Sequence, residues 1–310
     1  MTPNMDRAIG RHVRHAAFGH AHEALAWTPL ATGFAFLETP RWREGRLWAA
    51  DMFAERLVAI ATDGTVQTID VPGVPTGIGW NPQGKLLVLT RDGRLLRNSG
   101  DTFDQIGPAL HDGPAPCNEL TVTAGGIGFV GVFGLATGAL LAVTPDGSPR
   151  MVADDLLLPN GQQLTPDGHT LLVAESAGQR ITAFTVQDDG TLHDRRVWAA
   201  FGEPATARSL RDVLGQVTVW ADGITLDAAG GVWVADPLGR QAFRVTAGGE
   251  VTDRISTGQL ACYAAALGGH DGRTLYLCTA APGLDEASRR SQRTATLVAY
   301  RVQIPAAPPC

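Results

Sequence analysis

The sequence predicts an all-β protein, a six-bladed β-propeller with four-stranded blades around a central channel. Three observations predict it: a phrase that recurs six times, a spacing of about 40 residues between most copies, and 37 Gly and 19 Pro without helical periodicity of any length. The clearest copies run from Asn160 to Glu175, NGQQLTPDGHTLLVAE, and from Asp222 to Asp236, DGITLDAAGGVWVAD. Weaker copies open at Glu38, Thr76 and Asn118 and near Tyr263. Each holds a short apolar run, a Gly-containing turn and a second apolar run. A four-stranded blade takes about 40–50 residues, so six openings give six blades.

Taken in order along the chain, residues 1–22 read as an extension without fixed structure, and 23–310 as a single propeller domain. The stretch 23–33 precedes the first copy and 294–302 follows the last. The two are expected to pair in one blade, because a propeller must cover its terminal edges. Leu86–Leu89, Leu171–Ala174, Val232–Ala235 and Leu275–Cys278 are apolar at consecutive positions and suit strands buried on both faces, the inner strands. Arg56–Ile60, Arg180–Phe184 and Gln241–Val245 alternate more and are expected to be outer strands, followed by hairpin turns at Asp63-Gly64, Asp189-Gly190 and Gly248-Gly249. One interval is longer than the rest, and its excess falls in 201–219. An insertion there feeds the copy that opens at Asp222, so it lies on the same rim and is a candidate lid or specificity loop.

Lys and Arg number 25 against 31 Asp and Glu, a formal charge of −6 without a basic stripe, which excludes nucleic acid as the expected partner. No run reaches the roughly 18 apolar residues of a membrane span, and the N-terminal stretch lacks a signal-type apolar core. The expectation is a soluble, cytoplasmic protein with a small-molecule substrate; oligomeric state stays open. Cys117, Cys262, Cys278 and Cys310 show no C-x-x-C spacing and read as free thiols. Cys262 and Cys278 flank one predicted hairpin, but a reducing compartment argues against a bridge.

In a propeller, residues at equivalent openings converge on the channel although they are distant in sequence. Glu38, Asn118, Asn160 and Asp222 stand at such positions. Two carboxylates and two carboxamides are hard oxygen donors, suited to Ca²⁺, Mg²⁺ or Mn²⁺. Each also has an ordinary reading: Asn and Asp before Gly form turns, Glu38 could be a solvated strand start, and Asn118 a cap. Their common register in one repeat favours a metal site.

These segments carry a resemblance. Leu37-Glu-Thr-Pro-Arg-Trp42, Asn118-Glu119, Pro159-Asn-Gly161 with Pro166-Asp-Gly168, Ala221-Asp-Gly223 with Gly231-Val-Trp-Val-Ala235, and the closing stretch 265–276 are similar to motifs of the gluconolactonase and senescence-marker-protein (regucalcin-like) family of six-bladed propellers. The resemblance spans about Leu37 to Ala280. It implies that Glu38, Asn160 and Asp222 bind one divalent cation, Ca²⁺ first, with Zn²⁺, Mg²⁺ and Mn²⁺ as alternatives. It further implies that Asn118 helps hold substrate or a metal-bound water and that Asp222 is the general base of a lactone ring opening; Glu119 and Cys117 beside Asn118 are further substrate-binding candidates.

Two departures bear on the substrate. The family's sugar lactonases place an Arg two residues before this Asn, where Pro116 stands, and their Asn-Asp pair is Asn118-Glu119 here. A gluconolactone-type polyol would lack one donor, so an apolar or otherwise modified lactone, or another ester, is expected. The competing functions are a calcium-binding or ligand-sensing propeller without turnover and a phosphotriesterase-like activity on the same site.

Overall fold

The computed structural model describes residues 29–135 and 137–309. The expectation for residues 1–22 and the placement of Cys310 lie outside these described residues. The strands form six sheets, each antiparallel and four-stranded, as the repeat predicts.

The first strand of each blade begins at or beside a repeat opening: Leu37–Arg43, Pro75–Trp80, Cys117–Val122, Pro159–Leu164, Ile224–Leu226 and Ala261–Gly268 in blades 1 to 6. These inner strands contact one another in sequence around the ring. The sixth blade is closed by the start of the described chain, with Pro29–Phe34 pairing against Ala295–Arg301. The two terminal stretches therefore meet in one sheet, and the ring has no junction left open at its seam.

The apolar runs, expected on the inner strands, are the second strands, one place out from the strands that line the channel, among them Leu86–Thr90, Thr170–Glu175 and Val232–Asp236. The alternating segments differ from expectation: Arg56–Ala61, Arg180–Val186 and Gln241–Val245 are third strands, buried at most positions. A third strand still has a fourth beyond it and a neighbouring blade on each face. Water reaches the fourth, such as Val66–Asp70, where four of five residues are exposed.

Among the described residues two α-helices interrupt the strands, Leu210–Gln216 and Glu286–Gln292. The first lies in the 201–219 insertion, and Ser209 caps it by accepting the N–H of Asp212. Its Leu210, Val213 and Leu214 pack with Leu158, Trp220 and Tyr263 in one core cluster, a helical spacing missed amid the strand signals. No described helix is long and apolar enough to cross a membrane.

Candidate functional site

The backbone departs from regular pairing where the inner strands of five blades open. Register shifts fall between Glu38 and Arg41, Pro75 and Gly77, Asn118 and Leu120, Pro159 and Gln162, and Cys262 and Ala264. A bulge re-aims the side chains beside it, so one rim of the channel collects residues released from strict alternation. Thr39 and Glu119, at φ 47° and 59°, take the left-handed backbone within two of these bulges. In blade 5 the regular strand starts after Asp222-Gly223. The N–H of Asp222 donates to Ala235 O at 3.0 Å and that of Gly223 to Tyr263 O at 2.9 Å.

Gly161 and Gly223 explain the Asn-Gly and Asp-Gly pairs, and not as turns, since neither has a left-handed φ. A Cβ on Gly161 would sit 2.5 Å from Asp222 O and 2.6 Å from Ile224 N. One on Gly223 would sit 2.7 Å from Ala264 Cα. The openings of blades 4, 5 and 6 therefore touch backbone to backbone, which only glycine permits.

Asn160 and Asp222 are buried, and Glu38 and Asn118 half-buried. Asn118 Nδ2 donates to Asn160 Oδ1 at 3.0 Å, and Asn160 Nδ2 to Ser176 Oγ at 3.3 Å, while Ser176 Oγ donates to Ala221 O at 2.6 Å. This chain links blades 3, 4 and 5 and turns the Asn160 oxygen towards Asn118. Glu38 Oε2 accepts the N–H of Thr39 at 3.2 Å. The Cys262 thiol is pushed well up by burial and then by the charges of Asp222, Asp236 and Glu38. Carboxylates from blades 1 and 5 thus act on one buried point. The donors are all oxygens and two are carboxylates, so the set fits a hard divalent cation.

The other two sequence candidates lie off this line. Glu119 is 3% exposed, and its Oε2 accepts Arg41 Nη2 at 2.9 Å and Thr39 Oγ1 at 3.4 Å, a contact that ties blade 3 to blade 1. Cys117 is fully buried between blades 2 and 3, and burial first, then the charge of Asp92, pushes its thiol up to about 12. The described cysteines are all free.

Arg289 stands in the sequence only as one of a basic pair with Arg290, with nothing to mark it as a site residue. It is fully buried on helix Glu286–Gln292, with its guanidinium 4.3 Å from the centre of the Phe36 ring and Nη2 3.0 Å from Tyr263 Oη. Glu286 and Arg290, paired at i and i+4, were a helix signal in that loop. The 201–219 insertion does lie on this rim. Gln179 pins both of its ends, donating to Glu203 O at 2.6 Å and accepting the N–H groups of Thr218 and Val219 at 2.7 and 3.0 Å.

Residues 36–281 match the family model described as the SMP-30/Gluconolactonase/LRE-like region. A 6-deoxy-6-sulfogluconolactonase of Pseudomonas putida is 27% identical over 252 residues, 77% of this chain and 81% of that protein. The calcium-binding protein regucalcin of Agrobacterium tumefaciens has the same fold, with a TM-score of 0.74 at 18% identity, covering 91% of this chain and 95% of that one. A gluconolactonase of Xanthomonas campestris does too, at a TM-score of 0.67 and 21% identity over 90% and 88% of the two chains. With a match running from blade 1 into blade 6, the chain belongs to the SMP-30/gluconolactonase/LRE-like family.

Proposed function

We propose that this protein is a metal-dependent hydrolase that opens a lactone or a related cyclic ester. The observation that supports the reading is that Glu38, Asn118, Asn160 and Asp222 stand at equivalent blade openings, three of them bulged and two bonded to each other, in a member of a family with a lactonase among its relatives. Glu38, Asn160 and Asp222 are the proposed ligands of one divalent cation, Ca²⁺ first. Bound there, the cation would polarise the lactone carbonyl and offset the negative charge that grows on its oxygen.

Asp222 accepts the proton of the attacking water. Asn118, half-buried and bonded through Nδ2 to Asn160, orients the substrate. Glu119, tied to Arg41, and Cys117, packed in the core between blades 2 and 3, flank Asn118 and anchor the strand that carries it. Where sugar lactonases of the family carry an Arg, Pro116 offers no donor, so the substrate is a lactone other than a plain polyol. The sulfonated sugar lactone in the Pseudomonas relative's name is one such modified ring. The insertion helix Leu210–Gln216, which shares a core cluster with Leu158, Trp220 and Tyr263, is the proposed specificity element beside the site.

The test is purified protein on a panel of sugar, sulfonated and aliphatic lactones, with and without EDTA, beside Asp222→Ala. Chelation and the substitution are each expected to abolish turnover. Activity that survives both would sink the proposal, and tight divalent binding without hydrolysis of any ester would reassign the protein to binding or sensing.

A further inference from the structure

The second strand of every blade ends on the site rim, at Asp51, Thr90, Val132, Glu175, Asp236 and Ala280 in blades 1 to 6. Three of these residues are acids, in blades 1, 4 and 5. Those blades supply Glu38, Asn160 and Asp222. All three acids are fully buried.

Their contacts follow one plan. One carboxylate oxygen accepts main-chain N–H from the segment that leads into the inner strand. Asp51 Oδ1 takes Ala35 and Phe36 at 2.8 and 3.0 Å, Glu175 Oε2 takes Leu157 at 2.7 Å, and Asp236 Oδ1 takes Trp220 at 3.2 Å. These donors stand two or three residues before the proposed ligand. The other oxygen is held from five residues further on, by Arg56 Nε at 3.0 Å, Arg180 Nε at 2.9 Å and Gln241 Nε2 at 3.1 Å.

Blades 2, 3 and 6 hold Thr, Val and Ala at this position and form four-stranded sheets regardless. Thr90 directs its hydroxyl into its own loop, onto Asp92 and Arg94. The clamp is therefore not a requirement of blade formation. A buried acid held from both oxygens is a stiff link, charge-assisted where Arg56 and Arg180 hold Asp51 and Glu175, and residues that orient metal ligands are where such links matter.

We infer that Asp51, Glu175 and Asp236 are positioning residues for the divalent site, each fixing the backbone that presents one ligand: Asp51 for Glu38, Glu175 for Asn160 and Asp236 for Asp222. The inference rests on the metal reading proposed above and assigns it three further residues.

Calorimetric titration of the metal-stripped chain with Ca²⁺ and with Mn²⁺, beside thermal unfolding, tests it. Asp51→Asn, Glu175→Gln and Asp236→Asn are each expected to weaken binding by about 10- to 100-fold. The control is Asp227→Asn, which breaks an equally buried pair on the far rim of blade 5, where Arg244 Nε lies 2.6 Å from Asp227 Oδ2. It is expected to lower the unfolding midpoint while leaving affinity within about twofold of wild type, the additive outcome for a distant site. If a clamp acid proves necessary for folding, Arg56→Gln, Arg180→Gln and Gln241→Ala loosen the same links from their outer ends. Clamp variants that bind as wild type does, or a control that loses affinity equally, overturn the inference alone. A wild-type chain that takes up neither ion overturns the metal reading and this inference with it.

Discussion

The two rims of this propeller use the same dipeptides for different ends. On the far rim, Asp63-Gly64, Asp146-Gly147, Asp167-Gly168, Asp189-Gly190 and Asp271-Gly272 close hairpins, and every one of those glycines has a φ between 70° and 87°. On the site rim, Asn160-Gly161 and Asp222-Gly223 close nothing; their glycines let adjacent blades touch. Four of these five acids fold back on local donors, while Asp271 is held chiefly by Arg301. Asp63, Asp146, Asp167 and Asp189 are held below the usual carboxylate range chiefly by a hydroxyl or backbone N–H of a threonine two residues away. A dipeptide thus does not declare whether it shapes a turn or a site. Its register within the repeat does.

The largest expected effect that sharpens this contrast is at Asp222. Asp222→Ala should lower lactone turnover by at least about 10²-fold, whereas Asp167→Ala on the far rim should leave it unchanged in the same assay. Equal losses would erase the distinction between rims. Next come the glycines. Gly161→Ala should destabilise the chain by about 2–3 kcal/mol, because its Cβ meets neighbouring backbone. Gly168→Ala, with open space around it, should lose about 1 kcal/mol through φ alone. Urea unfolding measures both, and a milder effect at Gly161 than at Gly168 would contradict the close approach.

A smaller effect concerns acid. The far-rim carboxyls titrate lower in the folded chain than their ordinary 3.8, so their contribution is complete above that pH and drains as pH falls through the folded value. The urea midpoint should decline below about pH 4, and less steeply when Asp63, Asp146, Asp167 and Asp189 are replaced by Ala. An unchanged slope would count against the threonine contacts. The smallest is a silence. In a Cys310→Ser background, Cys117, Cys262 and Cys278 should not react with Ellman's reagent at pH 8 until the chain unfolds, since burial raises all three thiols. Labelling of the folded chain would show that the inter-blade cores open.

The blade count and the inner-strand openings were legible because each opening is written in the repeat: Glu38, Thr76, Asn118 and Asn160 are the second residues of their strands. The pairing of 23–33 with 294–302 followed from the need to cover edges, and its described part, Pro29–Phe34 against Ala295–Arg301, is in place. Third strands were read as outer ones because alternation reports two unlike faces, and neighbouring blades can supply those as well as water can. Asp51, Glu175 and Asp236 were hidden because their targets are backbone N–H groups 15 to 18 residues away, which no side-chain pattern marks. Arg289 was hidden because Phe36 and Tyr263, its ring partners, come from blades adjacent in space and far apart in sequence.

The pairing of Pro29–Phe34 with Ala295–Arg301 also sets an order of events. Earlier blades can form as the chain leaves the ribosome, but the sheet that carries Tyr263 needs a strand from each end of the propeller. At about 5–20 residues per second the early strands wait tens of seconds for their partner. During that interval Glu38, only four residues beyond Phe34, belongs to an unclosed ring, so the rim is completed only once the last strand has been made.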